Sequence, residues 1–412
     1  MTRRMSERRT SIIGAFLVAL GPVSMALYTP AMPELVRAFS SSEAAIKMTL
    51  SLYFAGFAFA QLVSGTLSDV IGRRRTTLIF MTIYLAGSLM AAFAPSVAVL
   101  LAGRLVQGIG ASVGMTVARA IVRDQFTGLQ AARIMNMIGM MLAIGPAVSP
   151  TLGGLALGLF GWQSIFFLMV GFALMACVCV QFFMAETATP DPAKGHLRPI
   201  LAAYRELLTD TRFVSSTLVI AGAVGALYAQ ATMLPFVLIG TVGLTPTEFG
   251  VGMLMQSGFF FSGTVTVRLL MRRFTPQALV PVGLCFIALG SVALAYTMHA
   301  LEPSFLAVMA PVGVYAFGIA FVMPYMMTAA MAPFPHIAGT ASAMMGFIQM
   351  GAGLLGGALA AVVGVPVLAL GTIIPSFGLL CVFSYLWYRR TVRLTPLAAP
   401  VDGTQPLPEA AE

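Results

Sequence analysis

A single arginine inside a long apolar run is the first residue whose chemistry stands out. Arg104 lies in LLAGRLVQGIGA (Leu100–Ala111), a segment that holds no other charge. An ionised side chain at the centre of a membrane helix costs at least about 2.5 kcal/mol, so it marks a functional site by default. Gln107, one helical turn later, lies on the same face. The alternative is a structural role, in which Arg104 bonds to backbone carbonyls of a neighbouring helix.

Acidic residues are missing from the places where a membrane-embedded cation would find a partner. The chain has 14 Asp and Glu, and each lies in a polar segment or near the end of an apolar run. Glu34 comes closest to an apolar interior, at one end of the first run. The sequence therefore provides no obvious proton carrier and no counter-charge for a cationic ligand. This pattern favours a neutral or anionic ligand near Arg104.

Aromatic and amide side chains along the apolar runs are candidate ligand contacts. Each of them alone more often serves helix packing in a membrane. Together they suit a small, flat aromatic molecule, held by ring stacking and amide hydrogen bonds. The candidates for the substrate cavity are Tyr28, Tyr53, Asn136, Tyr228, Gln230, Gln256, Tyr325 and Gln349.

The sequence has few residues suited to metal binding, cofactor binding or enzyme catalysis. The 3 His residues fall in loops or at the end of an apolar run, and the 4 Cys lie inside apolar runs without metal-ligand spacing. We therefore expect no metal site, no cofactor and no enzyme active site. No Walker sequence is present, which excludes ATP-driven pumping by this chain.

The elements that carry these residues are predicted to be membrane helices. Of 412 residues, 59% are hydrophobic and 9% are charged, and the mean hydropathy is +0.93. A soluble chain has about 25% charged residues, and a helix needs about 20 apolar residues to cross a bilayer. The composition excludes a soluble enzyme and predicts an all-α integral membrane protein. Twelve transmembrane helices are predicted at 11–33, 45–66, 76–94, 97–119, 133–158, 161–184, 213–240, 246–270, 277–298, 304–328, 337–363 and 366–388.

The helices fall into two sets of six, separated by the longest polar segment. We predict an N-terminal bundle over 1–185, a linker with a short amphipathic stretch over 186–212, a C-terminal bundle over 213–390 and a tail over 391–412. The halves are weak sequence repeats, which is typical of transporters with a binding site between two pseudo-symmetric bundles.

The distribution of basic residues predicts the orientation. If the N-terminus is cytoplasmic, 20 of the 23 Lys and Arg lie in or beside cytoplasmic segments, as the positive-inside rule requires. Both termini are then cytoplasmic. The net charge of +9 is explained without nucleic acid. We expect a monomer in a bacterial inner membrane.

Several motifs occur in an order that resembles the major facilitator superfamily. Two further motifs, one in the first predicted helix and one after the fourth, make the sequence resemble in particular the Bcr/CflA-like drug:proton antiporter branch of that superfamily. The motifs are GTLSDVIGRRR (Gly65–Arg75), LLAGRLVQGIGA (Leu100–Ala111) and AIGPAVSPTLGG (Ala143–Gly154), with YTPAMP (Tyr28–Pro33) and IVRD (Ile121–Asp124) as the narrowing pair. The resemblance implies a secondary transporter of twelve helices.

The first motif is implied to be a conformational latch between the halves, formed by Gly65, Asp69, Gly72 and Arg73. The glycines allow tight turns and close helix approach. The carboxylate of Asp69 can accept hydrogen bonds from the N-terminus of a neighbouring helix. The alternative is that the arginines only set the membrane topology. The resemblance also places Arg104 near the proton or substrate pathway.

The fifth predicted helix has small and kinking residues along its length, namely Gly145, Pro146, Pro150, Gly153 and Gly154. Small residues let helices approach closely in lipid, and proline removes a backbone hydrogen bond. The resemblance implies that this stretch forms a hinge and an interface between the halves on the periplasmic side.

One departure from the drug-exporter pattern concerns the substrate. The drug antiporters of this branch carry an Asp two residues before the Tyr of the first-helix motif, where this chain has Ala26. ALYTPAMP resembles more closely an uptake branch whose members import copper or riboflavin. The copper members have a Met-x3-Met pair on the seventh helix, whereas here Met233 is followed by Val237. We therefore predict riboflavin uptake, with multidrug or phenicol-type efflux as the alternative and copper import disfavoured.

Overall fold

The chain folds into a bundle of long helices. The computed structural model describes residues 5–192 and 196–394, and the predicted tail beyond Leu394 lies outside the described residues. The first half contains α1 (Glu7–Tyr28), α2 (Met32–Ala38), α3 (Glu43–Ile71), α4 (Arg73–Ala92), α5 (Val97–Ala111), α6 (Val113–Gln125), α7 (Gly128–Phe160) and α8 (Gln163–Phe183). The second part contains α9 (Leu197–Thr209), α10 (Thr211–Ala231), α11 (Pro246–Leu270), α12 (Pro276–Ala300), α13 (Phe305–Met331), α14 (Ala338–Val363) and α15 (Pro366–Leu394).

Eleven helical segments of the described chain are long and apolar enough to cross a membrane. The short α2 continues α1, and α6 continues α5, so each pair forms one crossing. The remaining predicted crossing is α11, a helix of 25 residues that packs between α7 and α13. Its polar side chains, among them Gln256 and Thr264, lower its mean hydropathy. Every predicted crossing is therefore helical, which satisfies the backbone hydrogen bonds inside a bilayer.

Local sequence signals set several helix ends. Asp210 accepts a hydrogen bond from the backbone N–H of Phe213 (2.7 Å) and begins α10. Thr245 and Glu248 form a reciprocal capping box that begins α11. The first backbone N–H groups of a helix have no carbonyl acceptor within that helix. A side-chain oxygen at the helix start accepts their hydrogen bonds instead.

Two large hydrophobic cores form, one in each half. The first is built mainly from α1 to α8 and the second from α9 to α15. The halves meet chiefly where α3 packs on α14 and where α7 packs on α11. Large apolar side chains such as Phe59, Leu159 and Val362 are exposed on the outside of the bundle, as expected of a surface that faces lipid.

The bundle has two distinct ends. We call the end that holds the segment between α8 and α10 the linker end, and the opposite one the far end. At the linker end, α9 contacts both halves. Tyr204 donates to the Leu62 carbonyl of α3 (2.7 Å), and Glu206 pairs with His336 before α14 (3.1 Å). Burial raises the pKa of Tyr204 to about 12, so its hydroxyl remains protonated and keeps donating even at moderately alkaline pH.

Candidate functional site

Arg104 of α5 is fully enclosed, with 0% of its surface exposed. Its guanidinium carbon lies 4.3 Å from the ring centre of Tyr28 and 4.5 Å from that of Tyr53. Such contacts stabilise a cation by about 0.5–2 kcal/mol or more when water is excluded. Nη1 of Arg104 also donates to Oε1 of Gln107, whose Nε2 donates to Ser88 on α4 (2.8 Å). The predicted intramembrane pair is therefore in direct contact.

The two tyrosines are held by their hydroxyl groups. The Tyr28 hydroxyl lies 2.5 Å from Oγ1 of Thr49, and the Tyr53 hydroxyl donates to the Gly21 carbonyl (2.9 Å). Both rings are buried. We expected Tyr28 and Tyr53 to line an open substrate cavity, but in this conformation they enclose Arg104.

Two hydrogen-bond donors of Arg104 have no partner. Nε and Nη2 are buried and make no hydrogen bond, and none of the ion pairs found in residues 5–192 and 196–394 involves Arg104. The alternative role, bonding to neighbouring backbone carbonyls, is not observed for Arg104 in this part of the chain. An unsatisfied buried donor costs roughly 1–3 kcal/mol. A ligand with acceptor oxygens or negative charge would recover that free energy here.

Tyr228 connects this cluster to the second half. Its ring lies 5.7 Å from that of Phe54, which is 6.1 Å from the ring of Tyr53. A Cβ on Gly353 of α14 would lie 2.7 Å from the Cβ of Tyr228. Only a glycine at this position lets α14 approach the aromatic pair so closely. A continuous aromatic path therefore runs from Arg104 across the interface.

The other predicted cavity residues are dispersed. Gln230 is buried, Gln256 and Gln349 are half-buried, Tyr325 is half-buried on α13, and Asn136 is exposed on α7. Oε1 of Gln256 is buried without a hydrogen-bond partner. Within residues 5–192 and 196–394, no hydrogen bond or ring contact joins any of these five residues to Tyr28 or Tyr53.

A cavity of about 760 Å³ lies between the halves at the linker end. Its walls come from α3, α6, α13 and α14, and from the segment that follows α8. None of the eight predicted cavity residues lines it. Of the predicted latch, Gly65, Asp69 and Arg73 do. We call this space the linker-end cavity.

Arg73 organises a charged cluster on the wall of that cavity. Its guanidinium contacts Oδ1 of Asp69 (2.5 Å), Oδ2 of Asp124 (3.0 Å) and Oγ of Ser68 (2.6 Å). Its side chain is 4% exposed. These partners all belong to the first half, so in this conformation the cluster does not bridge the two halves. We call these four residues the Arg73 cluster.

Glu186 completes the turn between α3 and α4. It accepts hydrogen bonds from the backbone N–H groups of Arg73 (2.7 Å) and Arg74 (3.2 Å) and so caps α4. Gly72 has φ of +100°, and a Cβ there would lie 2.5 Å from Oε2 of Glu186. Gly72 is thus required by both conformation and space. Gly65 differs from expectation, because a Cβ there would meet nothing within 4 Å.

Sequence reasoning missed Asp124 and Glu186 as members of this site. Asp124 is part of the IVRD motif, but that motif served only to indicate which branch of the superfamily the sequence resembles. Glu186 is the first residue of the predicted linker, and nothing in the sequence around it indicates that it caps a helix more than 100 residues earlier. Both contacts join residues more than 50 positions apart.

At the far end, α7 and α11 touch through their backbones. Thr151 donates to the Gly250 carbonyl (3.0 Å), and a Cβ on Gly154 would lie 3.1 Å from the Cα of Thr247. A Cβ on Gly250 would likewise lie 2.7 Å from the Cα of Thr151. We call this contact, between residues 150–154 and 246–250, the far-end contact. It joins the two halves.

The remaining small residues of α7 pack within the first half. A Cβ on Gly145 would lie 2.9 Å from Cγ2 of Val23, and one on Gly153 would lie 3.2 Å from the Cα of Leu27, both on α1. The helix continues through Pro146 and Pro150 without ending. The predicted stretch therefore divides into a face against α1 and a face against α11.

A further buried cation, besides Arg104 and Arg73, lies near the far end. Lys47 on α3 is 0% exposed, pairs with Glu43 (3.1 Å) and lies 4.9 Å from the ring centre of Phe236 in the second half. The sequence places Lys47 near the start of the second predicted helix (45–66) and gives no signal that its side chain is buried. Only the packing of the halves reveals its burial.

Comparisons with known proteins extend along most of the chain. A sequence model of the Major Facilitator Superfamily matches residues 14–357. Multidrug resistance protein D of Escherichia coli (strain K12) is 26% identical over 396 residues, which cover 93% of this chain and 96% of the relative. Multidrug resistance protein MdtL of Citrobacter koseri is 29% identical over 350 residues, which cover 84% and 87%.

Solved structures show the same fold. A crystal structure of a bacterial homolog to the human lysosomal transporter Spinster, inward-facing and unoccupied, matches with a TM-score of 0.72 and 15% identity. The match covers 96% of this chain and 99% of that chain. The match supports the all-α membrane fold that the sequence predicts.

Proposed function

Because this chain belongs to the Major Facilitator Superfamily of membrane transporters, we propose that it exports small organic solutes, of the kind handled by multidrug-resistance proteins, across a bacterial inner membrane. The observation that carries the proposal is the similarity to two multidrug resistance proteins along 84–93% of the chain. These relatives favour the efflux alternative over the riboflavin uptake predicted from the first-helix motif. The narrower Bcr/CflA-like branch remains a prediction.

The proposed substrates are neutral or anionic, and flat aromatic molecules are preferred. Arg104 has no acidic partner in the described part of the chain, and two of its N–H groups are unsatisfied. In a water-poor interior a second cation near this guanidinium is repelled, whereas an acceptor or an anion is attracted. The rings of Phe54 and Tyr228 supply stacking surfaces next to the cluster.

Transport is proposed to proceed by alternating access of the halves. The far-end contact closes one side, and the linker-end cavity opens on the other. Opening of the far end requires α7 and α11 to separate, and closure of the linker end requires the cavity walls to meet. We propose that the Arg73 cluster acts as the latch of that second step, and that the linker end is cytoplasmic.

An efflux assay tests the proposal. The full chain is expressed in an Escherichia coli strain that lacks its own drug pumps, and accumulation of chloramphenicol and ethidium is measured. We expect lower accumulation of the neutral phenicol and unchanged accumulation of the ethidium cation. The Arg104→Ala variant, matched by the exposed Arg37→Ala variant, should lose the effect.

A second strain separates the alternatives. A riboflavin auxotroph without its own transporter is grown on limiting vitamin with and without the protein. Rescue of growth, together with unchanged phenicol accumulation, would overturn the export proposal in favour of uptake. Export of ethidium equal to that of chloramphenicol would overturn the proposed substrate class.

A further inference from the structure

Two arginines of α6 line the linker-end cavity without an acidic partner. Arg119 and Arg123 are four residues apart and therefore lie on one face of the helix. Neither forms an ion pair with any described residue. The aspartates on the cavity wall, Asp69 and Asp124, both contact Arg73 instead. Two positive charges at this spacing repel each other and destabilise the helix. Because no described acidic residue pairs with them, their charge is not neutralised within this part of the chain.

The N-terminus of α14 faces these arginines across the cavity. Nη1 of Arg119 donates to Oγ of Ser342 (2.5 Å), and Nη1 of Arg123 lies 3.9 Å from the point where a Cβ on Gly339 would be. The helix has 26 residues, no acidic residue in its first turn and no side-chain cap at Ile337. The free backbone N–H groups of its first turn, and the positive end of the helix dipole, therefore face the same part of the linker-end cavity as the two arginines.

We propose that this corner of the linker-end cavity binds a phosphate-type anion, held by Arg119, Arg123 and the first turn of α14. Two guanidinium groups present planar forks that match phosphate oxygens, and a helix N-terminus adds backbone donors. A phosphate carries enough oxygens to accept from all three elements at once. A cavity of about 760 Å³ leaves room for such a group. Either a free phosphate or the headgroup of an anionic lipid has this chemistry.

The anion has a competitor within the chain. Asp69 lines the same cavity, and closure of the linker end would bring the walls that carry Asp69 and α14 together. A bound anion would occupy the hydrogen-bond donors of Arg119, Arg123 and α14, which the carboxylate of Asp69 could otherwise reach when the cavity closes. It should therefore hold the cavity open and slow transport. This last consequence rests on the proposed export function, whereas the binding itself does not.

Binding of inorganic phosphate to the purified full chain in detergent tests the proposal. Broadening of the phosphorus NMR signal is titrated for the wild type and for Arg119→Gln and Arg123→Gln. Each substitution should weaken binding about tenfold, because one charge-assisted contact is lost. Arg75→Gln removes an exposed arginine at the same end of the bundle, outside the cavity, and should bind phosphate like the wild type.

Two further measurements make the result decisive. Thermal unfolding without phosphate shows whether each variant folds, and Arg119→Lys, which keeps the charge but loses the fork, should give intermediate affinity. In nanodiscs, adding phosphatidylglycerol to phosphatidylcholine should weaken phosphate binding if a lipid headgroup is the natural occupant, and leave it unchanged if free phosphate is. Both results support the site and identify its source.

The proposal is overturned if the wild type shows no saturable phosphate binding. It is equally overturned if folded Arg119→Gln and Arg123→Gln bind as tightly as the wild type. Because no transport step is measured, such a failure leaves the export proposal standing, and a failure of the efflux assay leaves the anion site standing.

Discussion

At the scale of single residues, Arg104 combines a permanent charge with a planar shape that fits between two rings. Lysine keeps the charge but not the planar stacking or the fork. We therefore expect Arg104→Lys to lower the transport rate by about tenfold or more, since a charged hydrogen bond is worth about 1.5 kcal/mol or more. Substrate uptake into inverted membrane vesicles, whose cytoplasmic face is turned outward, measures the effect.

Arg37→Lys is the matched control, because Arg37 is exposed at the far end. It should transport at the wild-type rate. If Arg104→Lys and Arg104→Ala both transport normally, Arg104 serves packing alone and the proposed substrate class loses its main support.

Asp69 is expected to control the conformational cycle and not the affinity for substrate. Its carboxylate contacts Arg73 at 2.5 Å on the wall of the linker-end cavity, which Arg104 does not line. Asp69→Asn should lower the transport rate about tenfold or more, because a charge-assisted contact is removed. Equilibrium substrate binding should change little, as measured by titration of the purified protein.

The exposed Glu302→Gln substitution in a far-end loop provides the comparison, with transport and binding both expected to be normal. A large loss of binding in Asp69→Asn, with an intact maximal rate, would contradict the latch and move Asp69 into the binding site.

At the scale of elements, the far-end contact depends on the absence of side chains between α7 and α11. Gly154→Val would force these helices apart at a point where backbone atoms already touch. Overpacking costs about 1–3 kcal/mol, which would shift the balance toward a far-end-open state by roughly tenfold. Distances between spin labels on Arg37 and Glu302 should report the shift.

Gly139→Ala is the control on the same helix, since a Cβ there would meet nothing within 4 Å. It should leave the label distances unchanged. Wild-type distances in Gly154→Val would mean that the far-end contact does not limit opening of that side.

At the scale of the whole molecule, the positive charges predict the orientation in the membrane. Most of the described Arg residues lie at the linker end or in the turns beside it. Alkaline phosphatase fused after residue 192 or residue 394 should be inactive, because these positions are expected in the cytoplasm. Fusions after Ser96 and Glu302, both at the far end, should be active. The reverse pattern would invert the proposed direction of every transport step.

The helices and their order could be predicted from the sequence alone. A bilayer requires runs of about 20 apolar residues, and each predicted run is a helix, including α11 with its polar side chains. The buried charge at Arg104, its contact with Gln107 and the turn at Gly72 follow from the same local rules. These features depend on residue type and on neighbours within one or two helical turns.

Tertiary structure alone decided which distant residues meet. Asp124 and Glu186 reach Arg73 across 51 and 113 positions, Tyr28 and Tyr53 close over Arg104, and Lys47 is buried against the second half. Helix periodicity defines a face but not its partner, because many pairings of apolar faces bury similar area. The choice is made by close backbone contacts, such as those at Gly154 and Gly250, which exist only once the halves have packed.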